Sequence, residues 1–110
     1  MAKYLALFSL EAEAVHKFMD HETDRATVVR KLAESAGGKL DAYYFMLGKY
    51  DGALIVDLPD TITAMAFSMA IDSTGTIKHI ELHEMIPSDK IHQVVEKAKQ
   101  LLPKYQPLGA

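Results

Sequence analysis

Apolar and polar positions along this chain follow two different periods, and the switches between them mark out its elements. Tyr4 to Leu10 is a short apolar run containing aromatic residues, which predicts a first strand. Glu11 to Asp20 follows, with Val15, Phe18 and Met19 at helical spacing. After the polar break at His21-Glu22, Thr23 or Asp24 is placed to cap a further helical stretch. Its stripe is Val28, Val29, Leu32, Ala33 and Ala36, and Gly37-Gly38 ends it. This region reads either as one kinked helix or as two short ones. Leu40 to Leu47 and Ala53 to Leu58 are rich in aromatic and branched residues and predict a pair of antiparallel strands. Between them lies Gly48-Lys49-Tyr50-Asp51-Gly52, in which Asp51-Gly52 is a two-residue hairpin signal. Asp60, after Pro59, is expected to cap a helix running through Ile62, Met65, Ala66 and Met69 to Gly75. Thr76 to Ile86 returns to period two and predicts a fourth strand. Pro87-Ser88 then opens a last amphipathic helix, carrying Ile91, Val94, Val95, Ala98, Leu101 and Leu102 on one face. That face is expected to dock on the rest of the protein, and Lys104 to Ala110 forms a tail.

The order β-α-β-β-α-β-α is the split βαβ, or ferredoxin-like, pattern with one helix added. It predicts an α+β protein: a four-stranded antiparallel sheet with its main helices on one face. With Asp51-Gly52 as the turn, Tyr50 is expected opposite Ala53, Gly48 opposite Ile55, and Met46 opposite Asp57. Tyr43, Phe45 and Leu47 then share the helix-covered face with Leu54, Val56 and Leu58. The other face receives Tyr44, Met46, Ala53, Ile55 and Asp57 from these strands, and His79, Glu81, His83 and Met85 from the fourth. That second face is too apolar for water alone and too ionisable for a closed core, so it reads as an interface between two chains.

Length changes the picture little: 110 residues make one domain, with residues 88–110 expected as a helix and tail of the same unit as residues 1–87. Charge excludes more. Twelve basic residues against 15 acidic ones argue against a nucleic-acid partner. There is no cysteine, which rules out disulfides and thiolate metal sites. No apolar run is long enough to span a membrane, and the apolar start reads as a strand and not a signal peptide, so a cytoplasmic location is expected.

The chain resembles the GYD-domain family. The resemblance is carried by Met1-Ala2-Lys3-Tyr4, Asp24-Arg25, Ala36-Gly37-Gly38-Lys39-Leu40, Tyr44-Phe45 and Gly48-Lys49-Tyr50-Asp51-Gly52. It continues through Pro59-Asp60 and Ser73-Thr74-Gly75 to about Pro87, with the Gly-x-Tyr-Asp hairpin and the following Pro-Asp as its most specific combination. It implies a ferredoxin-like protomer akin to dimeric α/β-barrel proteins, in which two sheets face each other. The related superfamily includes cofactor-free monooxygenases, isomerases and haem proteins, so the fold alone selects no reaction.

Candidate chemistry is sparse. Gly-x-Gly-x-x-Gly, the P-loop, His-Glu-x-x-His and Gly-x-Ser-x-Gly are all absent. Two classes of function remain: a protein binding a small molecule between sheet and helices, or a non-catalytic oligomerising or metal-binding module. For the pocket the candidates are His16, Arg25, Tyr43, Tyr50 and Asp51. A carboxylate at a hairpin tip ordinarily accepts backbone N–H bonds, while the functional alternative pairs Tyr50 and Asp51 at a pocket mouth. Arg25 sits in a helix's first turn, where the dipole disfavours a cation, so it either pairs with a carboxylate or meets an anionic ligand. The methionines, Met65 and Met69 among them, are expected as core filler. His79, Glu81 and His83 alternate along one strand and so share a face. Neighbours there are about 6.6 Å apart, and the outer two about 13 Å. They form either a polar stripe or, completed by water or a second chain, a site for zinc or a similar divalent ion. No cofactor is required by any of these residues.

Overall fold

The computed structural model describes residues 1–109; residue 110, the end of the expected tail, lies outside them. The strands are β1 (Ala2–Leu10), β2 (Lys39–Phe45), β3 (Gly52–Leu58) and β4 (Ile77–Met85). The helices are α1 (Ala12–Asp20), α2 (Arg25–Ser35), α3 (Thr61–Asp72) and α4 (Ile91–Leu101), with single 3-10 turns at Ser88–Lys90 and Leu102–Lys104. All strand pairs are antiparallel, in the order β2-β3-β1-β4, which is the ferredoxin-like arrangement. No helix is long and apolar enough to cross a membrane among the described residues.

Local chemistry sets the helix boundaries. The region after β1 forms two helices, and Asp24 is the cap of the second: its carboxylate accepts from the Thr27 N–H at 3.2 Å and hydroxyl at 2.8 Å. Asp60 caps α3 in the same way through the Thr63 N–H at 2.8 Å. Gly37, with φ of 81°, supplies the left-handed residue that ends α2.

The pleat sorts side chains cleanly. Tyr4, Ala6 and Phe8 of β1 join Leu54, Val56 and Leu58 of β3 in the core, beneath Val29 and Ala33 of α2 and Ala64 and Phe67 of α3. Lys3, Leu5, Leu7 and Ser9 point the other way, with Ile55 and Asp57 beside them on β3 and His83, Glu81 and His79 opposite on β4. Among the described residues no helix covers that open face.

Three expectations are corrected. First, Asp51-Gly52 is not a two-residue turn: Tyr44, not Tyr50, pairs with Ala53, and Phe45 pairs with Gly52. The loop instead spans Met46 to Asp51 and is closed by Met46 N–H donating to Asp51 C=O at 2.8 Å. Contacts with β1 outweigh the turn preference, since Asp51 N–H donates to Phe8 C=O at 2.8 Å and the Phe8 ring lies directly over Gly52. The slip is an even number of positions, so Tyr43 and Phe45 keep the expected face; Leu47 falls in the loop, fully exposed.

Second, α3 buries Ala64 and Phe67 and exposes Met65 and Met69, which are therefore not core filler; Ile62 is exposed as well. Apolar residues surround this helix, so periodicity could not choose a face; Ala64 allows close approach while Phe67 fills the gap. Third, α4 does not dock on the rest of the chain. All described residues from Ser88 onward are exposed, including the whole stripe from Ile91 to Leu102. Pro87 is extended (φ −62°, ψ 148°) and turns the chain away from the sheet, whose helix side is already occupied by α2 and α3. The radius of gyration is accordingly 17.8 Å, where a compact chain of this length would have about 13 Å.

Candidate functional site

Helix α1 is the loosest layer of the covered face. None of its residues is buried, and only Ala14 and Phe18 are even half-buried. Val15 and Met19, which share helical spacing with Phe18, are exposed. The space beneath α1 is a cavity of about 820 Å³. Phe8, Leu54 and Ile80 from three strands form its floor, Val29 and Leu32 of α2 one wall, and Ile71 of α3 the other. Apolar side chains dominate the lining, and no aspartate or glutamate is among them.

One side of the cavity is a run of rings. Phe8 meets Tyr43 edge-on with centroids 5.8 Å apart, Tyr43 meets Phe45 at 5.4 Å, and Phe45 meets Phe18 at 5.7 Å. These rings descend from the sheet to the lid helix, each in a favoured edge or tilted geometry. Gly52 permits the arrangement, because a Cβ there would stand 2.2 Å from the end of the Phe8 ring.

The cationic groups collect at the junction of α1 and α2, where Lys17, His21 and Arg25 line the cavity beside Thr23, while Thr74 and Thr76 line it from the connection between α3 and β4. Arg25 Nη1 donates to Thr23 Oγ1 at 3.4 Å. Burial pushes the Tyr43 hydroxyl above its ordinary pKa, and the Arg25 guanidinium beside it opposes that rise. Tyr43 is therefore a neutral phenol at physiological pH, facing a cation.

Of the five pocket candidates, the structure brings Arg25 and Tyr43 together here. His16 lies on the outer side of α1, 3.6 Å from Asp20 and exposed. Asp51 accepts the Leu10 N–H at 2.7 Å, tying the loop to the end of β1. Tyr50 reaches across the opposite face of the sheet to Glu81. Reading the sequence missed Lys17, Phe18 and His21 as lining residues. With Ala14 they fall at i, i+3, i+4 and i+7, one helical stripe mixing small, aromatic and cationic side chains.

Tyr50 donates to Glu81 on the open face, while His79 Nε2 and His83 Nε2 approach its two carboxylate oxygens at 3.0 and 2.9 Å. These contacts, that of Tyr50 foremost, hold the Glu81 carboxyl down at a pKa of about 2. Both oxygens are thus engaged, and no group of three or more residues suited to a metal ion occurs among the described residues. At the other end of the face Lys3 bridges Asp41 and Asp57.

Fold and site together define an α+β protein of ferredoxin-like topology, with an apolar cavity between sheet and helices. The chain belongs to the GYD domain family, whose model matches residues 4–95 and so runs beyond Pro87 into α4. No curated protein and no solved structure matches it.

Proposed function

We propose that this GYD-domain protein binds a small molecule in the cavity beneath α1. The observation that carries this reading is an amphipathic lid helix whose inner side faces about 820 Å³ of open, largely apolar space. That volume and largely apolar lining, with the cationic groups gathered at one edge, match small-molecule sites in general. A packed interior has few voids larger than a water molecule, so a filled core would have drawn α1 down onto the sheet. The test uses the neutral aromatic probe naphthalene-2-methanol and the variant Ala14→Trp, which places an indole in the cavity. At about ten times its Kd the probe stabilises wild type by about 1.4 kcal/mol. Ala14→Trp abolishes that stabilisation while keeping its own melting transition. A probe that stabilises both proteins equally sits elsewhere, and the reading fails.

A second reading, compatible with the first, is favoured by the open face. Leu5, Leu7 and Ile55 form an apolar centre between the Lys3 and Glu81 clusters, with no layer above them. The exposed stripe of α4 adds a second uncovered apolar surface. Both support assembly as a homodimer, sheet against sheet, for which a stable interface of about 2,000 Å² or more is expected. The His79, Glu81 and His83 stripe lies on that same face, so a divalent ion there would have to displace existing hydrogen bonds.

A further inference from the structure

We infer that the ligand of the α1 cavity is an aromatic carboxylate, an inference that rests on the small-molecule reading above and adds its chemical class. Two features of the cavity select this class, and they lie at different ends of it.

The first is charge. Lys17, His21 and Arg25 line the rim, and no acidic residue lines the cavity at all. Lys17 is already paired with Glu13 at 3.4 Å, both side chains being exposed, so the selection of an anion rests on Arg25 and His21. Neither Arg25 nor His21 forms an ion pair among the described residues. The nearest acidic neighbour of Arg25 in the chain, Asp24, has its carboxylate directed to Thr27 by the α2 cap. A guanidinium beside a largely apolar cavity, in contact with Thr23 and the Tyr43 phenol and in no ion pair among the described residues, is the complement of an anion. Its planar fork of donors matches a carboxylate with two parallel hydrogen bonds. The neutral Tyr43 hydroxyl supplies a further donor.

The second is shape. The Phe8–Tyr43–Phe45–Phe18 run presents ring edges and faces along one wall, from the floor to the lid. Flat rings stack or meet edge-on against such a wall at separations of about 4.5–7 Å. The head group of a ligand lying along it reaches the α1–α2 junction, where the cations are. An aromatic cation would meet like charge there. An aromatic alcohol would leave the guanidinium without a counter-charge.

Calorimetric titration of the full chain with three probes sharing one ring system reads this directly: naphthalene-2-carboxylate, naphthalene-2-methanol and naphthalene-2-methylamine. The carboxylate is expected to bind about tenfold more tightly than the alcohol, the scale of one charge-assisted hydrogen bond, and the ammonium more weakly than either. Arg25→Gln should bring the carboxylate down to about the level of the alcohol, and the alcohol should lose several-fold less affinity than the carboxylate does. Raising salt from about 0.05 to about 0.5 M in wild type provides a readout that needs no variant, since it should erode only the carboxylate's advantage. An alcohol that binds as tightly as the carboxylate overturns the chemical class while the cavity reading stands. Failure of all three probes to bind overturns both.

Discussion

The two faces of this sheet are built from the same four strands yet solve opposite problems. On the covered face, Ala6, Val56 and Leu58 are sealed under α2 and α3, and the cavity opens under α1. On the open face, apolar residues of the two central strands lie between two clusters of charge, Lys3 with Asp41 and Asp57, and Glu81 with its two histidines. The covered face is held by packing, which is insensitive to pH and protein concentration. The open face is held by polar contacts that respond to pH, and its apolar centre, Leu5, Leu7 and Ile55, has no layer above it among the described residues. The Gly-x-Tyr-Asp loop belongs to both: Asp51 and Gly52 serve the covered side through Leu10 and Phe8, while Tyr50 serves the open side through Glu81.

Truncating one side chain on each face should separate them most sharply. Leu58→Ala removes a fully buried side chain and should cost about 2–5 kcal/mol in urea unfolding, at any protein concentration. Ile55→Ala, on the open face, should cost less in the monomer and should also weaken the dimer. Its loss of stability therefore depends on concentration. Light scattering that reports a wild-type monomer at micromolar concentration would sink the dimeric reading and leave Ile55 as an ordinary surface residue.

The elements were legible because their signals are local. Asp24 and Asp60 precede helices and cap them, Gly37 ends one, and the strand faces follow from a period of two. What escaped was decided by contacts distant in sequence. The loop register depends on Phe8 covering Gly52 and on Leu10 N–H meeting Asp51, more than forty residues apart. The burial of α3 turned on Phe67 among residues that were nearly all apolar. The cavity left only a faint trace, because it is a space, and the pattern that marks it is a lysine and a histidine interleaved with Ala14 and Phe18. Arg25 was legible as a candidate for a physical reason: a cation at a helix start is out of place unless something anionic offsets it.

Asp51 tests how far the loop couples the two faces. Asp51→Ala deletes the acceptor for Leu10 N–H and should lower stability by about 1.5–3 kcal/mol, the range for a hydrogen bond to a charged group. Asp51→Asn retains an oxygen and should lose less. If the loop then drifts, the Phe8 ring is freed, and affinity for naphthalene-2-carboxylate should fall in Asp51→Ala as well. Lost affinity with an unchanged melting temperature would instead assign Asp51 a direct part in binding.

The smallest expected effect is also the most specific to the open face. The Glu81 carboxyl titrates at about 2 in the folded protein, well below its ordinary 4.5, because Tyr50, His79 and His83 stabilise the anion. A depressed folded-state pKa stabilises the protein fully above about pH 4.5, and that contribution is lost as pH falls towards 2. Glu81→Gln removes this titration, so the melting temperature of the variant should fall less steeply than that of wild type over that interval. The caps Asp24 and Asp60 and the Lys3 partner Asp41 also have lowered pKa values, and they titrate in both proteins alike. Their contribution therefore cancels in the difference curve, which isolates the open face. Parallel curves would mean that the Tyr50–Glu81 bridge does not hold in solution, and the loop would then answer to the covered face alone.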